Sequence, residues 1–206
     1  MATMPDMNVR LHEMPTERHF ELDAAFIRDA LAGLPMRAAL ERPADDPAPG
    51  KVRVDIDLYS ESGNVFVRGR IEGWVEVACS RCVEAASVAV DEDLAITYLP
   101  AAKAQAIADE AEEKLLRAGD EPATAEIAEA ADVYPMAEDE VDLAPMLREQ
   151  VILAVPFAPL CDEVCRGLCP RCGENRNRTP CDCPTEVTDP RWAALTGVKV
   201  DNGGRA

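Results

Sequence analysis

Eight cysteines in a 206-residue chain, six of them crowded into its last quarter, constrain this fold more than any other feature. They run Cys79-x2-Cys82, then Cys161-x3-Cys165-x3-Cys169-x2-Cys172-x8-Cys181-x-Cys183. A segment so poor in apolar residues cannot bury six cysteines as core. Spacings of two to four residues present thiolates to a shared ion. The first thirty residues hold no apolar run of signal-peptide type, and no run of eighteen apolar residues occurs. We therefore expect a non-secreted, cytoplasmic chain with no membrane segment. In a reducing compartment, clustered cysteines read as metal ligands before disulfides.

Eight ligands divide into two sets of four, and structural zinc takes four soft ligands. One partition follows position. Cys169, Cys172, Cys181 and Cys183 close a local site, while Cys79 and Cys82 recruit Cys161 and Cys165 from beyond the last helix and staple the tail to the sheet. The rival partition joins Cys161 and Cys165 to Cys169 and Cys172. The C-x-C spacing of Cys181 and Cys183 is less typical of zinc turns, which makes the tail site the weaker and leaves one of its members a candidate spectator. Either way two structural Zn²⁺ ions are expected, with no open coordination position for a substrate. Gly173 after Cys172 lets the second turn fold back at positive φ.

The rest of the chain predicts an α+β fold: a small curved antiparallel sheet or partly open barrel with flanking helices and a cysteine-rich zinc-binding tail. Asn8 to His12 reads as a short strand. A helix capped by Asp23 follows, with Leu22, Phe26, Ala30 and Leu34 on one face and Gly33 and Pro35 at its end. Ala44 to Gly50 reads as a linker. Val52, Val54, Ile56 and Leu58 alternate with polar residues. After a turn at Ser62-Gly63-Asn64, Val65, Val67, Ile71, Val75, Val77 and Cys79 share one parity. Val88, Val90, Leu94, Ile96 and Tyr98 form a third run. Gly69 and Gly73 inside the long second strand predict bends or bulges. Trp74 has the opposite parity, where cover by a helix is expected ahead of a surface contact.

Ala101 to Ala118 reads as a helix supported by Glu110–Lys114 and Glu113–Arg117 pairs. Gly119 to Asp139 has the composition of an acidic, flexible connector. A final helix is expected from near Asp142, with Pro145 in its first turn, a stripe of Leu143, Leu147, Val151 and Ala154, and a stop at Pro156. The chain thus divides into a β-rich domain over 1–155, with the acidic Ala-rich insert near 101–140, and a cysteine-rich tail over 156–206.

Formal net charge is −18, and between Ala101 and Glu140 twelve acids face only Lys103, Lys114 and Arg117. Such a molecule repels a phosphate backbone at long range, so a nucleic-acid contact needs a local basic patch. Arg166, Arg171, Arg176 and Arg178 form the one candidate. Their other reading is compensation of the negative thiolate clusters. A basic protein partner is electrostatically easier, and the acidic insert could receive one or serve as a solvated spacer. Catalytic motifs, phosphate loops and signs of a small-molecule substrate are absent. His12 and His19 lie near no carboxylate motif of known geometry. The two C-x2-C pairs allow an alternative, a cytosolic thiol–disulfide redox protein, but neither opens a helix after a strand, the context that depresses a thiol pKa.

The order Cys79-x2-Cys82, Val141-Asp142-Leu143, Leu153-Ala154-Val155-Pro156 and Pro159-Leu160-Cys161 resembles the YceD family. The stretch from Cys165-Arg166-Gly167-Leu168-Cys169 through Pro170-Arg171-Cys172-Gly173, Asn175, Asn177 and Cys181-Asp182-Cys183 is similar to its cysteine-rich version. The likeness spans about Val65 to Cys183. It implies a non-enzymatic role in accumulation of large-subunit ribosomal RNA, with that RNA or a basic large-subunit ribosomal protein as partner. The family offers no catalytic residues to carry over. Two departures stand out: Arg176 occupies a place where the family usually has an apolar residue, and the acidic Ala-rich insert is long.

Overall fold

The structure is a computed structural model that describes residues 6–34, 50–118 and 132–184. Two compact units divide the chain, Met1–Cys165 and Arg166–Ala206.

The first unit is built on three long strands whose periodicity of two is unbroken. These are β3 (Gly50–Glu61), β4 (Asn64–Ala78) and β5 (Ala85–Pro100). Val52, Val54, Ile56 and Leu58 of β3 face the same buried side as Val65, Val67, Ile71, Val75 and Val77 of β4 and Val90, Leu94, Ile96 and Tyr98 of β5. A one-residue slip would turn all of them to solvent, so this pattern sets the register. The β3–β4 turn has Ser62 at φ 52° and Gly63 at φ 76°, the two positive values that a tight hairpin needs to match strand twist.

β2 (Thr16–Leu22) pairs antiparallel with β3, and β6 (Val133–Met136) pairs parallel with β5. The sheet order is therefore β2-β3-β4-β5-β6, an open sheet among the described residues with β2 and β6 as its outer strands. Between β5 and β6 the chain first runs through α2 (Ala101–Ala118), which carries the expected Glu110–Lys114 and Glu113–Arg117 pairs. A second, two-stranded sheet joins β1 (Asn8–Arg10) to β7 (Glu140–Asp142).

Two helices supply the rest of the core. In α1 (Ala24–Leu31) the Asp23 carboxylate accepts from the Phe26 N–H at 2.7 Å, the expected N-cap. Phe26, Ile27, Ala30 and Leu31 turn inward. In α3 (Ala144–Leu153), Met146, Leu147 and Val151 are buried and Pro145 sits in the first turn. These residues join the inner sheet face, Val9 and Val141 in one apolar cluster.

Several sequence expectations need correction. β2 was not foreseen, because Glu17, Arg18, His19 and Glu21 obscure its alternation; Leu22, assigned to a helix face, ends this strand instead. β6 lies inside the stretch read as a flexible connector, where Tyr134 and Met136 are buried; residues 119–131 of that stretch fall outside the described residues. No bulge occurs in the β3–β4 ladder, whose pairing runs without a slip from Gly50↔Val75 to Glu61↔Asn64. Gly69 and Gly73 instead press against β3. A Cβ on them would lie 2.1 Å from the Asp55 carbonyl oxygen and 1.9 Å from that of Lys51. Trp74 is 41% exposed rather than covered. The Ala44–Pro49 part of the expected linker also lies outside the described residues.

Candidate metal centres

The first centre grows out of the β4–β5 connection. Cys79 ends the buried parity of β4, and the chain reverses through Cys79-Ser80-Arg81-Cys82-Val83-Glu84. The Cys79 N–H donates to the Glu84 carbonyl at 2.8 Å and the Val83 N–H to the Cys79 carbonyl at 2.9 Å. This narrow knuckle aims the Arg81 N–H at the Cys79 sulfur, 3.4 Å away. Val83 pays for the reversal with φ 64°, a left-handed conformation that a β-branched residue rarely adopts.

Beyond α3 the chain returns to this knuckle. The Ser80 N–H donates to the Pro159 carbonyl at 2.8 Å. Asp162 then organises a turn, accepting from the Val164 N–H on its side chain and from the Cys165 N–H on its carbonyl. The sulfurs of Cys79, Cys82, Cys161 and Cys165 all lie within 4.8 Å of one another. Cys79 and Cys165 are 3.8 Å apart, Cys82 and Cys161 3.5 Å. A tetrahedral zinc with Zn–S near 2.3 Å has S···S edges of about 3.8 Å, whereas a disulfide needs about 2.05 Å. The spacing suits a shared ion. All four sulfurs lie in the first unit, with Cys79, Cys82 and Cys165 buried beside Ala86 and Leu160 in a cluster separate from the main core.

The second unit repeats the knuckle. The Cys169 N–H donates to the Glu174 carbonyl at 2.8 Å and the Gly173 N–H to the Cys169 carbonyl at 2.9 Å. Gly173 has φ 75°, where Val83 stands in the first copy. Cys169, Cys172, Cys181 and Cys183 form the second tetrad, again with all sulfurs within 4.8 Å. Cys181 and Cys183 therefore both reach it, despite their C-x-C spacing. Of the two partitions open on spacing, the sulfurs gather in the positional one.

Electrostatics divides each tetrad. Burial pushes the Cys79 thiol up, but N–H groups of Cys161, Arg81 and Cys82 outweigh it and bring it to about 6. Burial and the neighbouring thiols push Cys161 up to about 12. The N–H groups of Cys172 and Arg171 bring Cys169 to about 6, while hydrogen bonding with Cys172 and Cys169 pushes Cys183 up to about 12. Four thiolates repel one another, and a divalent cation reverses that repulsion. Each tetrad could hold one metal ion. Filled by four protein sulfurs, neither site would leave a position for water or substrate, so such a metal is scaffold.

The arginines proposed from sequence sit on the second unit's loop. Arg166, Arg171 and Arg178 are exposed and Arg176 is half-buried. The Arg166 N–H donates to the Asn177 side-chain oxygen at 2.8 Å and the Arg176 N–H to the Gly167 carbonyl at 3.0 Å. Asn175 accepts on its side chain from the Asn177 N–H and on its carbonyl from Arg178 and Thr179. The two asparagines thus shape the loop. Sequence reasoning assigned them no role, although side-chain amides near turns commonly act this way.

The family model described as large ribosomal RNA subunit accumulation protein YceD matches residues 67–199, more than half of the chain. The chain belongs to the YceD family. An Arabidopsis thaliana relative, named as a chloroplastic YCED homolog 1 of large ribosomal RNA subunit accumulation protein, is 32% identical over 66 residues, covering 32% of this chain and 21% of its own length. A maize relative of the same name is 25% identical, covering 64% of this chain and 48% of its own. An uncharacterized protein of Mycobacterium tuberculosis is 29% identical over 161 residues, 78% of this chain and 68% of its own. The chain therefore spans less than half of each plant relative. No solved structure matches it. Among the described residues, no helix of this YceD-family chain is long and apolar enough to cross a membrane.

Proposed function

We propose that this chain is a non-enzymatic ribosome-biogenesis factor that promotes accumulation or processing of large-subunit ribosomal RNA and carries two structural zinc ions. The family match over residues 67–199 carries the ribosomal part, together with the plant relatives named for that RNA. The donor chemistry supports the metal. Four thiolates at tetrahedral spacing select zinc over hard cations such as magnesium or calcium. Cys79, Cys82, Cys161 and Cys165 would hold one ion, and Cys169, Cys172, Cys181 and Cys183 the other. Bound there, zinc neutralises thiolate charge and cross-links segments that little apolar burial secures.

The partner is large-subunit ribosomal RNA or a basic large-subunit ribosomal protein in the cytoplasm. For an RNA contact, Arg166, Arg171, Arg176 and Arg178 supply planar forks that fit phosphate and base edges. A strain lacking the gene should accumulate less mature large-subunit RNA, and the protein should sediment with large-subunit precursors at moderate salt. Normal RNA levels together with absence from those fractions would defeat this reading.

A thiol–disulfide redox protein remains the second reading, favoured by the thiols of Cys79 and Cys169 near pKa 6. Both pairs, however, occupy hairpin knuckles rather than helix N-termini. Rapid dithiol cycling in purified protein with little metal would select it over the zinc reading.

A further inference from the structure

Both knuckles share the frame Cys-x-Arg-Cys, with Arg81 in one and Arg171 in the other. Their backbones bond alike, yet their arginine side chains do not. The Arg81 guanidinium donates to the Cys165 carbonyl at 3.0 Å and the Glu163 carbonyl at 3.4 Å. Among the described residues, the Arg171 side chain makes no such bond. We propose that Arg81 is the positioning residue of the first metal centre, holding the turn that presents Cys161 and Cys165 against the knuckle that presents Cys79 and Cys82. The inference rests on the reading of the tetrads as metal sites.

The first tetrad joins ligands from the middle of the unit's sequence to ligands at its C-terminal end, and Arg81 stands 84 residues from Cys165. Bringing such distant segments together costs chain entropy that binding free energy must otherwise cover. Arg81 contributes on both sides of the junction: its backbone N–H points at the Cys79 sulfur, and its side chain grips the backbone of the second ligand pair. Both bonds leave one guanidinium nitrogen, Nη1, so a single charged donor holds the two carbonyls together. A fixed cation also lies beside a centre that four thiolates and one divalent ion leave doubly negative. The second tetrad needs none of this, because its ligands span only Cys169 to Cys183. Arg171 is thus an internal control.

The test titrates cobalt(II) against a competing chelator into the metal-free full chain. Tetrahedral thiolate–cobalt absorption reports each equivalent, and circular dichroism of the same samples reports the sheet. The unsubstituted chain should take up two equivalents. Arg81→Ala should weaken one of them by about 10- to 100-fold, the usual cost of losing an outer-shell partner, and leave the other unchanged. Arg81→Lys should recover part of the loss, and it carries the test if Arg81→Ala loses its sheet signal. Arg171→Ala should leave both equivalents within about twofold, well below that outer-shell cost. Two unchanged equivalents in both Arg81 variants would overturn the proposal, as would an equal loss in Arg171→Ala. Absence of thiolate–cobalt absorption from the unsubstituted chain would remove the metal reading itself, and this inference with it.

Discussion

At Val83 the chain accepts a φ of 64° where the matching place in the second knuckle holds Gly173 at 75°. A left-handed conformation costs an L-residue roughly 1–2 kcal/mol, and more trouble for a β-branched one. Glycine removes that strain but loses about 0.5–1 kcal/mol more chain entropy on folding. Val83→Gly should therefore raise stability slightly, by up to about 1 kcal/mol in denaturant unfolding of the metal-loaded chain. A clear loss would show that the Val83 side chain contributes packing that outweighs its backbone. Gly73 is the opposite case. A Cβ there meets the Lys51 carbonyl oxygen at 1.9 Å, so Gly73→Ala must spread β3 from β4 and should cost on the order of 3 kcal/mol. Protonation belongs to this scale too. Without metal, burial and neighbouring thiols hold Cys161 up near 12, and Cys82 is raised by burial. Binding must take protons from them, so uptake near neutral pH releases protons. The metal-bound state then carries fewer protons than the metal-free one; metal-linked stability rises with pH and fades on acidification. An unbuffered zinc titration followed by a pH electrode measures this, and a flat trace would contradict it.

At the scale of elements, α3 is the piece that delivers the second ligand pair. It docks through Met146, Leu147 and Val151, all fully buried, and Pro159 follows it to bond with Ser80. Leu147→Ala should cost about 2–5 kcal/mol by cavity formation. It should also weaken metal at the first tetrad while the second, whose ligands all lie in the other unit, keeps its ion; equal weakening of both would argue against this division. The helices and long strands were legible because their periods are strong. The alternation of Val52 to Leu58, the Ala-rich run of α2 and the Pro145 start of α3 each carry a local signal. β2 and β6 were not, for different reasons. Charged residues crowd β2 because only its inner side is covered, by way of Phe20 and Leu22. β6 is four residues long and finds its place by parallel pairing with β5, which no local pattern encodes.

At the scale of the molecule, eight cysteines raise metal binding as an expectation, and spacing narrows their grouping to two partitions, of which the sulfurs gather in the positional one. The Arg81 clamp was not legible, because a bond to carbonyls more than eighty residues away leaves no trace nearby. Function was legible only through family resemblance, since closed sulfur sites define a scaffold and not what it holds. With a formal charge of −18, any RNA contact must rest on a few local arginines and should weaken steeply with salt. The pairing of eight cysteines into two four-sulfur metal centres is tested most directly by the zinc content of the purified chain and its single cysteine variants, measured by elemental analysis. Two equivalents are predicted for the unsubstituted chain. Cys79→Ser and Cys161→Ser should each lose the same one, and Cys169→Ser and Cys183→Ser the other. Two equivalents retained in either Cys79→Ser or Cys161→Ser would contradict it.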